Sequence, residues 1–420
     1  MFDLDRWQEI YHVLQKNKMR TFFTAFGVFW GIFMLVVMMG SGNGLRNGVT
    51  DGMKDFATNS VFIWSQSTTI PYKGLPRGRN FKFNNDDLDA LRKEVPDIEH
   101  IAPRIGVNSG PGDNVIHGLK GGVFTLFGDV PDWCKIDPVN VIQGRLLNDK
   151  DVIDSRKVAV IGNRVQEVLF KNGENPIGQY IRIQGVWFQV IGVFKPKSQN
   201  INFGGDKQQT IFMPFTTVQR AYNFGNSLDF IAVTAKTGSS AASVGDKAIK
   251  LLKRRHTIAP NDEQAIGNFN LEEIFKQIGG LFMGIDFLVW LVGTGTLLAG
   301  VIGISNIMLV IVKERTKEIG IQRAIGASPI AIISQIVMES VVLTTIAGFV
   351  GLTLGVGLIQ LINMAMTSNV ESRQMFKNPS VDFNMAITAL TILIISGALA
   401  GLIPARRAIK VRPIDALRYE

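Results

Sequence analysis

The chain is almost without cysteine. Cys134 is the only one among 420 residues, so no intramolecular disulfide can form and no cysteine-based metal cage exists. Histidine is also scarce: His12, His100, His117 and His256 lie far apart, without metal-ligand spacing. There is no H-E-x-x-H, no G-x-S-x-G and no histidine beside a candidate nucleophile, which disfavours a membrane enzyme. No catalytic residue, metal site or cofactor is therefore expected. Charge is the other shortage. Only 19% of the residues are charged, where a soluble domain carries about 25%, and the deficit is concentrated in a few long runs.

Four runs are long enough to cross a bilayer, which takes roughly 20 apolar residues in a helix. Thr21 to Leu45 and Phe287 to Val312 contain no charged residue. Only Glu339 interrupts the stretch between Arg323 and Glu371, and Phe383 to Ala405 stops at Arg406-Arg407. The first run is read as a retained anchor and not a cleaved signal peptide, because an amphipathic segment precedes it and no small-residue cleavage site follows. Orientation comes from the basic residues beside the spans. Arg6, Lys16, Lys18 and Arg20 precede the first, Lys313, Arg315, Lys317 and Arg323 follow the second, and Arg406, Arg407, Lys410, Arg412 and Arg418 follow the fourth. The remaining short loop balances Arg373 and Lys377 with Glu371 and Asp382. Both termini are thus expected in the cytoplasm. Much of the net charge of +9 is this topology signal, so no nucleic-acid partner is needed to explain it.

The expected architecture is an α-helical membrane protein of four transmembrane helices with a large mixed α/β extracytoplasmic domain. Its parts are a cytoplasmic amphipathic helix (1–20), transmembrane helix 1 (21–41), the outer domain with stalk helices (42–280), and transmembrane helix 2 (281–312). A cytoplasmic loop (313–330), transmembrane helix 3 (331–362), a short outer loop (363–382), transmembrane helix 4 (383–405) and a cytoplasmic tail (406–420) complete it. In the outer domain, Val61 to Trp64, Ile98 to Ile105, Phe230 to Val233 and Ala265 to Phe269 read as strands, and Asn85 to Arg92 and Ala241 to Arg255 as helices. Two strand–helix–strand units are thus expected to flank a β-rich centre. That centre holds Lys157 to Gly162 and a hairpin from Ile181 to Val190 turning near Gln184-Gly185. The acids Asp86 and Asp87 suit the first turn of a helix better than acid–base chemistry.

Two apolar stripes adjoin the membrane. Leu45, Val49, Met53 and Phe56 follow the first span at helical spacing, and Leu271, Ile274, Phe275 and Ile278 precede the second. Both are read as stalk helices continuous with their spans. Within the spans Glu339 is expected to snorkel or pair locally, near the cytoplasmic end. Gly27-x-x-x-Gly31, Gly351-x-x-x-Gly355 and Gly397-x-x-x-Gly401 permit close helix approach, within the chain or in a dimer. In the cytoplasmic loop, Ile319, Gln322, Arg323 and Gly326 share one helical face and Gly320 admits a close neighbour. It is either an interfacial helix or a docking helix for a partner.

At this loop the chain resembles the permease subunits of MacB/FtsX-like ABC transporters. Glu314 to Ala327 matches the motif E-R-T-x-E-I-G-I-x-R-A-x-G-A without a gap. Asn17 to Thr21 with Gly42-x-Gly44-x-Arg46 resembles the family's N-terminal anchor, and Pro404 to Ala408 with Pro413 to Leu417 its C-terminal signature. Gly144 to Leu147, Val158 to Gly162 and Asn175 to Gly178 resemble a MacB-type periplasmic core domain. The resemblance implies a homodimeric permease in the bacterial inner membrane that acts by mechanotransmission, driven by an ABC ATPase. No G-x-x-x-x-G-K-[ST] occurs, so that ATPase is expected as a separate subunit. Glu314, Arg315, Glu318, Ile319, Gly320, Arg323, Ala324, Gly326 and Ala327 would supply the coupling contacts. A periplasmic adaptor and an outer-membrane channel are further partners the resemblance suggests. Export is favoured over a non-transporting transducer that switches an outer hydrolase, because division-type members have a smaller outer domain.

Overall fold

The computed structural model describes residues 18–51, 56–108, 112–170, 173–197, 205–367, 376–379 and 383–409. The expected N-terminal amphipathic helix before residue 18, Met53, most of the short outer loop and the tail beyond residue 409 lie outside them. Two compact units result. One is Thr50–Gly279, and the other combines the segments up to Val49 and from Gly280 onward.

The first unit is built on a twelve-stranded sheet. Its order begins Ile266–Asn270, Ser60–Ser65, Phe230–Ala235, Ile98–Val107, and continues Thr125–Asp129, Thr210–Pro214, Val158–Gly162, Val186–Pro196. Tyr180–Ile183, Val115–His117 and Lys120–Gly122 complete the path, with Val139–Gly144 paired off it on Val186–Pro196. The expected strands and helices form. Their arrangement differs in one respect: the two strand–helix–strand units interleave side by side instead of flanking the centre. Ser60–Ser65 runs antiparallel to Phe230–Ala235, pairing Val61 with Val233 and Ile63 with Ile231. Ser60–Ser65, Phe230–Ala235 and Ile98–Val107 are mostly buried, so pairing across the sequence buries them together, while Ile266–Asn270 at the end of the path buries only Ile266.

Local chemistry explains the details. The hairpin turns through Gln184 (φ 44°) and Gly185 (φ 89°), the pair of left-handed residues that a two-residue turn requires. Helix Asn85–Glu94 starts with a reciprocal cap: the Asn84 side chain accepts from Asp87 N–H at 3.1 Å, and the Asp87 carboxylate accepts from Asn84 N–H at 2.9 Å. Strand Val158–Gly162 is buried along its whole length and ends under the turn at Lys207–Gln209. A Cβ on Gly162 would lie 2.2 Å from the Gln208 carbonyl oxygen, so only glycine fits.

The second unit is helical. Helix Leu271–Glu314 has 44 residues, Pro329–Thr367 has 39 and Lys18–Asp51 has 34. At 1.5 Å per residue even the shortest extends about 50 Å, well past a hydrocarbon core of about 30 Å. Each of these helices therefore continues outside the bilayer it can cross. On the described residues, three helices are long and apolar enough to span a membrane: Ala25–Asp51, Leu271–Glu314 and Pro329–Met366. The fourth expected span forms helix Phe383–Ala408 but is not one of those three.

Glycines bring these helices together. A Cβ on Gly27 would lie 3.6 Å from Gly300, and one on Gly351 would lie 2.6 Å from the Phe29 carbonyl oxygen. A Cβ on Gly401 would come within 2.9 Å of the Val337 backbone. All three glycine pairs are thus spent on packing within one chain. The hydroxyls buried at these crossings bond back to their own helix, Ser340 to the Ile336 carbonyl and Thr344 to the Ser340 carbonyl.

Candidate functional site

The loop after helix Leu271–Glu314 is a short helix held rigidly at both ends. Arg315 leaves the helical conformation, and Thr316–Ala324 restarts it. Arg315 joins the pieces: its guanidinium donates to Glu318 at 3.0 Å and to Glu339 at 2.9 Å. Glu339, which interrupts the apolar run of the third expected span, is thereby paired locally as anticipated. At the far end Gly326 adopts φ 106°. Its N–H bonds the Arg323 carbonyl, and Ala327 N–H bonds the Gln322 carbonyl. This is a Schellman cap, whose left-handed residue is normally glycine. Arg323 also donates to the Ile409 carbonyl at 2.7 Å, fastening the loop to the end of the last helix.

The residues expected to face a partner separate into three sets by burial. Ile319 and Gly320 are buried, Ile319 in a cluster with Val312, Ile332, Ile336 and Ala405. Glu314, Glu318, Ala324 and Gly326 are exposed, while Arg315, Arg323 and Ala327 are half-buried. The outward apolar face is carried by two residues outside the expected coupling set, Ile321 at 42% and Ile325 at 82% exposure. Their i, i+4 spacing was visible. Isoleucine on both faces concealed which one points inward.

The stalk stripes divide in the same way. Leu45 is exposed and Val49 half-buried on helix Lys18–Asp51. Leu271 opens the second stalk fully buried, and Ile274, Phe275 and Ile278 follow half-buried on the same helix. Phe56 is a correction, since it lies beyond its helix and is a core residue of the sheet domain at 4% exposure. It packs in one cluster with Trp133, Ile136, Leu271 and Phe275. A bulky aromatic three residues after Met53 satisfies the periodicity whether or not the helix continues.

Beside that cluster is a buried ionic group that the sequence did not reveal. Arg104 makes two bonds of 2.7 Å to the Asp129 carboxylate, with both side chains 4% exposed. Its guanidinium lies 3.5 Å from the Trp133 ring centre and 4.1 Å from that of Phe127. Lys207 bonds Asp137 at 2.6 Å and lies 4.3 Å from the Phe56 ring centre. Burial lifts both carboxyls above their usual range, against the pull of Arg104 and Lys207. Burial also pushes the Cys134 thiol up to about 12, which leaves it unreactive. A buried acid outside this group, Asp87, accepts from Arg255 and His256 at 2.7 Å each. Burial alone would raise it, but those bonds and its helix cap hold it below the usual carboxylate range.

Among the described residues no group of His, Cys, Asp or Glu is placed to hold a metal ion. What the described residues do present is an exposed apolar pair, Ile321 and Ile325, on a short segment tied down through Arg315 and Arg323.

Residues 21–251 match the MacB-like periplasmic core domain, and residues 290–413 match the FtsX-like permease C-terminal domain. The pyoverdine export ATP-binding/permease protein PvdT of Pseudomonas putida is 28% identical over 99% of this chain. The chain spans 60% of that relative's length. The macrolide export ATP-binding/permease protein MacB of Bdellovibrio bacteriovorus is 30% identical over 82% of this chain and 50% of its own. The uncharacterized ABC transporter permease YvrN of Bacillus subtilis is 30% identical over 74% of this chain and 73% of its own. The solved periplasmic region of MacB from Actinobacillus actinomycetemcomitans superposes with a TM-score of 0.43 at 21% identity, covering 54% of this chain and 95% of that one. With both domain families matched in order across a membrane protein of this architecture, the chain belongs to the MacB/FtsX-like permeases of ABC transporters.

Proposed function

We propose that this permease exports a substrate by transmitting ATPase motion to its outer domain. The observation that carries the proposal is the outward side of helix Thr316–Ala324 and its cap: Ile321 and Ile325 are exposed, Glu314 and Glu318 are exposed earlier in the same segment, and the helix is anchored through Arg315 and Arg323. Exposed isoleucines on a rigid charged helix suit insertion into a groove on a cytoplasmic partner. That partner is an ABC ATPase supplied outside these 420 residues, which carry no phosphate-binding loop.

Four spans with both termini in the cytoplasm, in the bacterial inner membrane, accord with the basic residues that flank alternate loops. The long helix Leu271–Glu314 supports a lever, because a rigid rod longer than the bilayer carries a tilt beyond it. The working unit is a homodimer. The names of the PvdT and MacB relatives, pyoverdine export and macrolide export, make export of an organic molecule the function proposed here, with a periplasmic adaptor and outer-membrane channel as further partners. Purification of the native complex from membranes tests the reading. An ATPase with a phosphate-binding loop should be recovered in equal amount to the permease, and its consistent absence refutes the coupling role.

A further inference from the structure

Far along the sequence from the coupling loop, the sheet domain has a groove of about 600 Å³ at the end of helix Ala241–Arg255. Five cations line it, Lys73, Lys247, Lys250, Lys253 and Arg254, with Glu94 as the only acid in its wall. Its apolar lining includes Val95, Leu251 and Ile258, all buried. That volume falls within the range of small-molecule sites, about 300–1,000 Å³. We propose that this groove binds a small organic anion, an apolar body carrying a phosphate group.

The walls are built and fastened. Helix Ala241–Arg255 ends in a Schellman cap, with Ile258 N–H bonded to the Lys253 carbonyl and Thr257 N–H to the Arg254 carbonyl. Thr257 occupies the left-handed position at φ 52°, where a β-branched side chain is a strained choice. Arg79 holds that turn by donating to the His256 carbonyl at 2.6 Å and the Thr257 carbonyl at 3.1 Å. Buried Asp262 ties the opposite segment down, accepting from Thr69 N–H and Ile70 N–H at 2.8 and 3.1 Å. Lys73 stands at the tip of a two-residue turn with Gly74, φ 47° and 83°. Backbone strain retained at a cleft is a feature of ligand sites.

Helix-end electrostatics accounts for part of the charge. Lys253 and Arg254 lie in the last turn, where cations offset the helix dipole. Arg254 pairs with Glu94, and Lys247 pairs with Asp97 at 2.6 Å. Lys73, whose ammonium lies 5.5 Å from the Tyr72 ring centre, and Lys250 remain, exposed on two separate walls and engaged by neither effect. Two such cations facing an apolar floor suit a phosphate monoester, which carries a charge of about −1.5 to −2 at neutral pH.

Titration calorimetry on the full chain in nanodiscs of neutral phosphatidylcholine tests this, with empty discs as the blank. Hexyl phosphate should saturate at one site per chain, with inorganic phosphate and hexanol each binding at least tenfold more weakly. The double substitution Lys73→Glu/Lys250→Glu should weaken hexyl phosphate at least tenfold, which is about 1.4 kcal/mol. Arg182→Glu, an exposed cation outside the groove, should leave binding unchanged. No saturable binding, equal binding of inorganic phosphate or hexanol, or an equal loss with Arg182→Glu would each overturn the proposal.

Discussion

Replacing Arg104 with leucine should be among the most damaging single substitutions in the sheet domain. Its two bonds to Asp129 and its stacking on Trp133 and Phe127 are all buried. Removing one partner of a buried ion pair costs about 3–5 kcal/mol, because the other charge is left without compensation. Lost cation–π contact adds about 0.5–2 kcal/mol per ring, while Asp129 can limit the damage by taking a proton. The net is about 4 kcal/mol, and for a domain of this size each kcal/mol moves Tm by about 2–4 °C. A fall of about 8–16 °C is therefore expected in thermal unfolding followed by tryptophan fluorescence, with Trp133 in the affected cluster. The double variant Arg104→Leu/Asp129→Leu removes the orphan charge and should regain at least about 2 kcal/mol. Arg104→Lys should fall between the wild type and Arg104→Leu, since an ammonium keeps the charge but loses the planar fork. If the double variant is as unstable as Arg104→Leu, the pair's charge is not the cause and the reasoning fails.

Acid should loosen the same domain. Asp87, Asp151 and Asp262 are held below their ordinary value of 3.8. Their stabilisation is therefore complete above that pH and drains away as pH falls below it. Asp87→Asn should flatten the low-pH slope of Tm; an unchanged slope removes Asp87 from the account. For topology, single cysteines at Ser41, Ser239 and Thr367 in a Cys134→Ser background should react with a membrane-impermeant thiol reagent in whole cells, and those at Gln8, Ser328 and Tyr419 should not. Labelling at Ser328 from outside would contradict four spans with both ends inside. For the lever, Val49→Cys or Ile278→Cys bridged across a dimer should stop export when oxidised and release it on reduction. Export at the normal rate by bridged protein would exclude motion at these stalks.

Periodicity was informative wherever one physical demand acted alone. The long apolar runs, the acidic start of helix Asn85–Glu94 and the turn at Gln184-Gly185 could all be read from the sequence. It misled where two demands share a pattern. Phe56 keeps helical spacing with Leu45 and Val49, yet belongs to the domain core. Ile319 and Ile325 look alike in sequence, and only the packing of Ile319 on Ile332 and Ala405 shows which face turns inward. The ionic cluster was invisible because Arg104, Asp129, Asp137 and Lys207 come together only when distant strands pair. The glycine pairs were recognisable as sites of close approach, but no sequence pattern tells a neighbour in the same chain from one in a second copy.

Docking of an ATPase on the outward face of helix Thr316–Ala324 can be captured by photo-crosslinking in living cells, with p-benzoylphenylalanine placed at Ile321, Ile325 or Ile319 in turn. The exposed Ile321 and Ile325 should yield an adduct containing an ATPase with a phosphate-binding loop, while the buried Ile319 should yield none. ATPase-free samples from both exposed positions, in cells where the permease is active, would contradict the account.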